Sequence, residues 1–139
     1  VRAAPYGVVV LVVTRHRLPL PGYADATAVL VAASGVLGAL AVQKGYVRGW
    51  ITRAVDDPDL LVVAHEWADA GSYRRALSAL EVKLHWPFFL TAVDEATAFE
   101  VLVSRTPDSV VETPSAIAAD HDTVGLGTAA GPEISTGEF

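Results

Sequence analysis

The chain has 139 residues, 52 % of them hydrophobic, with a positive mean hydropathy; that is one domain's worth of sequence and too apolar for an intrinsically disordered chain. It contains no cysteine, methionine or asparagine, which excludes disulfides, thiolate metal sites and cysteine nucleophiles. The formal charge of −6 is uneven: residues 1–105 carry ten Lys+Arg and ten Asp+Glu, while residues 106–139 hold six acids and no Lys or Arg. No basic stripe is left for a nucleic acid partner.

In chain order, residues 7–14 are a β-branched run and read as a strand buried on both faces. Arg15, His16 and Arg17 follow it where a secretory signal would have a small-residue cleavage site, so the protein is expected to be cytoplasmic. After Pro19, Pro21 and Gly22, a helix starts at Asp25, a suitable N-cap. Its apolar stripe is Val29, Ala33, Val36, Leu37 and Leu40, and Gln43, Lys44 and Gly45 supply a basic end and a C-cap glycine. Residues 26–42 are uncharged over 17 positions, the lower limit for a membrane span. Six alanines and two glycines make them only modestly hydrophobic, which favours a buried helix of a soluble domain.

Two strands come next, residues 46–55 and 60–67, with Asp56, Asp57, Pro58 and Asp59 as their hairpin turn. Asp69 caps a second helix from Ala70 to about Leu80; a further turn or two follows and stops at Pro87. Residues 98–104 form a last strand. The order β-α-β-β-α-β within residues 7–105 predicts an α+β, ferredoxin-like domain whose antiparallel sheet carries both helices on one face. A first strand apolar on both sides needs cover on the other face as well, so a homodimer packed sheet against sheet is expected. Residues 106–139 read as an acidic, disordered tail.

Period-2 geometry puts Leu61, Val63, His65 and Trp67 on one face of the third strand, with His65 and Trp67 about 7 Å apart. An imidazole and an indole at the mouth of an apolar cavity suit a flat aromatic ligand; the alternative is a core tryptophan beside a satisfied buried histidine. On the second strand Tyr46, Arg48, Trp50 and Thr52 share a face, opposite Val47, Gly49, Ile51 and Arg53. Arg53, on an apolar face, needs a ligand oxygen or a carboxylate such as Glu66. Tyr73 can point back toward Trp67. His85 and Trp86 either close the pocket's far end or pack in the core. The four histidines lack paired metal-ligand spacing.

Gly45-Tyr46-Val47 opening a strand, Asp57-Pro58-Asp59 in the hairpin, Val62-Val63-Ala64-His65-Glu66-Trp67 and then a helix containing Tyr73 resemble the antibiotic biosynthesis monooxygenase (ABM) domain. The resemblance implies a dimeric α+β barrel that oxidises phenols with O₂ and uses no cofactor, neither metal nor flavin. Family members hold and deprotonate substrate with a Trp and a Tyr six residues later, matching Trp67 and Tyr73. Their Asn four residues before the Trp falls on Val63, so His65 is expected to serve as base or hydrogen-bond partner, with Arg53 or His85 stabilising phenolate charge. A haem-degrading branch of the superfamily needs an Asn on the first strand and an axial His where this chain has Ala76 or Leu77, which leaves haem degradation a third, weaker option that would require His85 to ligate the iron. The expected function is therefore cofactor-independent monooxygenation of a small phenolic or quinone-type aromatic molecule, with a non-catalytic dimeric binding or structural module as the alternative.

Overall fold

A computed structural model of the chain describes residues 9–115, so Gly7, Val8 and residues 116–139 of the expected tail lie outside the described residues. The chain divides into two units, one ending at Val101 and the other beginning at Leu102.

The first unit contains β1 (Val10–Arg17), α1 (Ala26–Ala41), β2 (Tyr46–Ala54), β3 (Asp57–Trp67), α2 (Ala70–Ala76), α3 (Leu80–Lys83), α4 (Trp86–Phe89) and β4 (Ala98–Glu100). The sheet order is β2-β3-β1-β4, with every neighbouring pair antiparallel. This is the ferredoxin-like α+β arrangement expected. Asp25 caps α1 as its spacing predicts, its Oδ1 accepting from the Ala28 amide at 2.9 Å. The stripe Val29, Ala33, Val36 and Leu40 is buried, and each large member contributes about 1.5–3 kcal/mol by leaving water.

Alternation sorts the two central strands. Val10, Val12, Thr14 and His16 of β1 are buried, as are Leu61, Val63, His65 and Trp67 of β3. The register sets Val10 beside Trp67, Val12 beside His65 and His16 beside Leu61. On the other face of the sheet Leu11, Val13, Val62 and Ala64 are half-buried, while Arg15 and Arg17 are exposed. Thus β1 is not buried on both faces within one chain, because its alternate arginines need water and their carboxylates. Arg17 meets Asp57 at 2.6 Å and Arg15 meets Glu95 at 3.4 Å.

Four local expectations are corrected. The hairpin turns at Val55 and Asp56, and Asp57 already pairs with Ala54. Pro58 is tolerated in β3 because it lies beyond the last β1 partner, Leu60, and within the register shift toward β2 between the Arg53–Leu61 and Ala54–Asp57 pairs. A register shift between Tyr46 and Arg48 is a β-bulge, which turns Tyr46 to the face opposite that of Arg48 and Trp50. The second helix is three short pieces. The first ends at Ala76, Ala79 takes extended angles (φ −69, ψ 139) before the second, and Pro87 sits inside the opening turn of α4, where a missing N–H costs nothing. The last strand of the sheet stops at Glu100.

The second unit contains β5 (Val103–Thr106) and β6 (Ser109–Glu112), an antiparallel hairpin. Thr106 Oγ1 accepts from the amides of Asp108 and Ser109 at 3.3 and 3.1 Å, closing the turn around Pro107 and Asp108. The start of the expected disordered tail is therefore a hairpin. No helix among the described residues is long and apolar enough to cross a membrane.

Candidate functional site

The C-terminal end of β3 delivers His65 and Trp67 to the inner face, and two backbone features bring Tyr73 against them. The Ala68 amide donates to the Gly45 carbonyl at 2.7 Å, tying the start of α2 to the entry of β2. Asp69 then caps α2, accepting from the Ser72 amide at 2.6 Å. Gly45 has φ +93, and a Cβ there would lie 2.3 Å from Ser72 Cβ, so glycine is required by both backbone and space. The ring centroid of Tyr73 lies 5.8 Å from that of His65 and 5.5 Å from that of Trp67. Tyr46, turned inward by the bulge, meets Trp67 edge-on at 5.4 Å. Gly49 leaves room for the Tyr46 hydroxyl, which a Cβ would approach to 2.6 Å.

Trp67 Nε1 donates to His65 Nδ1 at 2.7 Å. Indole nitrogen can only donate, so Nδ1 is the accepting nitrogen and the neutral ring carries its proton on Nε2. Burial lowers the His65 pKa to about 4, which keeps the ring neutral. Among the described residues neither His65 Nε2–H nor the Tyr73 hydroxyl makes a hydrogen bond. His65 is 1 % exposed and Trp67 fully buried, whereas Tyr73 is half-buried and meets solvent. Burial also raises the pKa of Tyr73 and of Tyr46, so both hydroxyls stay protonated. A buried donor without an acceptor favours an oxygen that carries negative charge. Of the two roles expected for His65, base or hydrogen-bond partner, this tautomer fits the second.

Val63 is buried one inner position before His65. The other expected site residues are not brought to the cluster. Arg53 is exposed and paired in register with Leu61, six positions from Trp67 and so about 20 Å along β3. The carboxylate of Glu66, on the outer face, binds Arg48 at 2.9 Å instead. His85 packs against α1 where Gly35 leaves space, a Cβ there coming within 2.8 Å of its ring. Trp86 is 45 % exposed and packs on Phe89 at 5.5 Å. The turn of α4 sends Phe88 inward in place of Trp86. Ala76, one of the two axial-haem positions, is buried core.

A second buried imidazole escaped the sequence reading. Thr91 Oγ1 donates to the Phe88 carbonyl at 2.6 Å, so it accepts from His16 Nδ1 at 2.9 Å, which leaves His16 Nε2 to accept from the Thr14 hydroxyl at 2.8 Å. Phe88 stacks on the ring at 4.4 Å. His16 is fully buried and satisfied at both nitrogens; its pKa is also lowered by burial to about 4. The Val10, Val12, Thr14, His16 alternation was its only sequence signal. A cavity of about 230 Å³ opens near that end of the domain, lined by Leu18, Tyr23, Asp25, Val29 and Asp59 among others, and by none of His65, Trp67 or Tyr73.

No family model and no curated protein matches the chain. Solved structures do. A variant of SnoaB, a cofactor-independent oxygenase from Streptomyces nogalater, is 21 % identical with a TM-score of 0.58, over 72 % of this chain and 97 % of that one. A conserved protein from Methanosarcina mazei Go1 is 14 % identical with a TM-score of 0.54, over 68 % of this chain and 92 % of that one. A candidate antibiotic biosynthesis monooxygenase from Chloroflexus aurantiacus J-10-fl is 17 % identical with a TM-score of 0.51, over 67 % of this chain and 90 % of that one. The chain therefore has the fold of the antibiotic biosynthesis monooxygenase domains.

Proposed function

We propose that this chain is a cofactor-independent, monooxygenase-like enzyme that oxidises a small phenolic or quinone-type aromatic molecule with O₂, acting as a cytoplasmic homodimer. The observation that supports the reading is the pair of donors beside Trp67 that make no hydrogen bond among the described residues, the buried His65 Nε2–H and the half-buried Tyr73 hydroxyl. SnoaB, which has this fold, is described as a cofactor-independent oxygenase. The reducing electrons come from the substrate. An ionised phenol has carbanion character at a ring carbon; a C–O bond forms there with O₂, protonation gives a hydroperoxide, and loss of water leaves the quinone carbonyl. His65 and Tyr73 stabilise the phenolate oxygen and Trp67 forms the stacking wall. The half-buried apolar face formed by Leu11, Val13, Val62 and Ala64 is the surface assigned to the second copy.

A second reading, a non-catalytic binding or structural module, draws support from the closed packing of His65 and Trp67, 1 % and 0 % exposed. Oxygen uptake separates the two. Purified, chelator-treated protein is offered hydroxyquinones and naphthols in their ionised forms in an oxygen electrode. Uptake matched by quinone absorbance supports the enzyme; none with any of them supports the module.

A further inference from the structure

The tautomer of His65 has a consequence for which substrates this site accepts. A phenol must lose its proton before it can reduce O₂, and the groups around His65 offer nowhere to put that proton. On β3, Trp67 occupies Nδ1, the one basic nitrogen of the ring. On β2, Gly49 has no side chain and the Tyr46 hydroxyl is kept protonated by burial. On β1 the register partner is Val12, and on α2 the facing group is Tyr73, also kept protonated. The carboxylates nearest in the chain are engaged elsewhere. Glu66 lies on the opposite face of the sheet with Arg48, and Asp69 caps α2, its carboxyl held below the ordinary range chiefly by hydrogen bonds from Ser72. None of these groups is an unengaged carboxylate or basic nitrogen.

We propose that the site selects substrates that arrive already ionised, acidic phenols and hydroxyquinones, because the Trp67 indole locks His65 as a hydrogen-bond donor and leaves no base beside it. Trp67 is thus a positioning residue as well as a wall, acting through the ring it orients. Tyr73 is the member of the cluster that meets solvent, with its ring centroid 5.8 Å from that of the imidazole. An unpaired donor as buried as His65, 1 % exposed, gains most from a charged acceptor and little from a neutral hydroxyl. The identity of the ligand as an aromatic oxygen compound rests on the functional reading above, but the ionisation rule does not need turnover to be tested.

The test is binding of para-nitrophenol, whose absorbance reports its own ionisation, to the full chain between about pH 5 and pH 9. The dissociation constant is expected to fall about tenfold per pH unit up to the ligand's own pKa and then to level off, because only the anion binds. Unsubstituted phenol, neutral across that range, should bind at least about tenfold more weakly. His65→Phe should abolish the difference between the two. Since His65 is buried and the variant can fail to fold, nitrogen NMR of the wild-type imidazole provides a second measurement: Nε2 protonated and Nδ1 not. Equal affinity for neutral and ionised nitrophenol, no binding of the anion at about 1 mM, or a proton on Nδ1 would each overturn the proposal. Binding of the nitrophenol anion together with no oxygen uptake from any of the ionised naphthols or hydroxyquinones would instead sink the functional reading and leave this rule standing.

Discussion

Gly45→Ala probes the joint that places Tyr73 over Trp67. At φ +93 a side chain is strained, at about 1–2 kcal/mol. The added Cβ would also stand 2.3 Å from Ser72 Cβ and 2.4 Å from its Oγ, where ordinary contacts are about 3.5–4 Å. Relieving that overlap moves Ser72, which is 5 % exposed, by more than an ångström; overpacking of this kind costs about 1–3 kcal/mol. The variant should therefore lose about 3 kcal/mol in total. Ser72→Gly removes the colliding atoms at a cost of roughly 0.5–1 kcal/mol for glycine in a helix. In the double variant the steric part vanishes, so the cycle should give a favourable coupling of about 1.5 kcal/mol. Urea unfolding followed by tryptophan fluorescence measures all four corners. A loss below about 0.5 kcal/mol for Gly45→Ala, or a coupling indistinguishable from zero, would refute the reasoning.

Other perturbations test separate parts of the account. Both buried histidines have folded pKa values depressed to about 4, so the folded state resists protonation that the unfolded chain accepts near 6.5. Stability present above about pH 6.5 should fall as pH drops toward 4, by roughly 1.4 kcal/mol per pH unit for each histidine, and denaturant midpoints at several pH values read it. A flat profile there contradicts the neutral assignments. Thr14→Val removes the donor to His16 Nε2 and leaves a fully buried acceptor unsatisfied; a loss of about 1–3 kcal/mol is expected by thermal unfolding. Gly35→Ala should destabilise through contact with the His85 ring, and His85→Ala should restore most of that loss while leaving para-nitrophenol binding unchanged. Val62→Arg, on the half-buried outer face, should convert a dimer to a folded monomer by sedimentation; a wild-type monomer would remove that surface from the proposal.

Much of the fold is visible in residue periods. The 3.6-residue stripe along α1 and the two-residue alternation of β3 each need only local spacing, and both place their buried side chains correctly. That alternation brings His65 and Trp67 to one face, and Asp69 announces the helix that carries Tyr73. What local spacing missed came from irregular backbone and distant partners. One extra residue at the bulge reverses Tyr46, and period-2 reasoning has no means of anticipating it. The partner that satisfies His16 is Thr91, 75 positions away. The β5–β6 hairpin had a local signal, since Thr106-Pro107-Asp108-Ser109 between Val103 and Val110 is turn chemistry flanked by strand residues. Acidic composition outweighed it. Arg53 is not brought to the cluster, because sharing a face says nothing of distance along it: the exposed side chain stands opposite Leu61, six positions from Trp67.

Oxygen consumption by His65→Ala and Tyr73→Phe, measured beside the wild type with an ionised naphthol or hydroxyquinone and with folding checked by circular dichroism, tests the central claim most directly. Removing a donor to a developing oxyanion should lower kcat about 100-fold for His65→Ala and about tenfold for Tyr73→Phe, with quinone yield falling in step. If both variants consume oxygen at the wild-type rate, the cluster over Trp67 is not the catalytic centre.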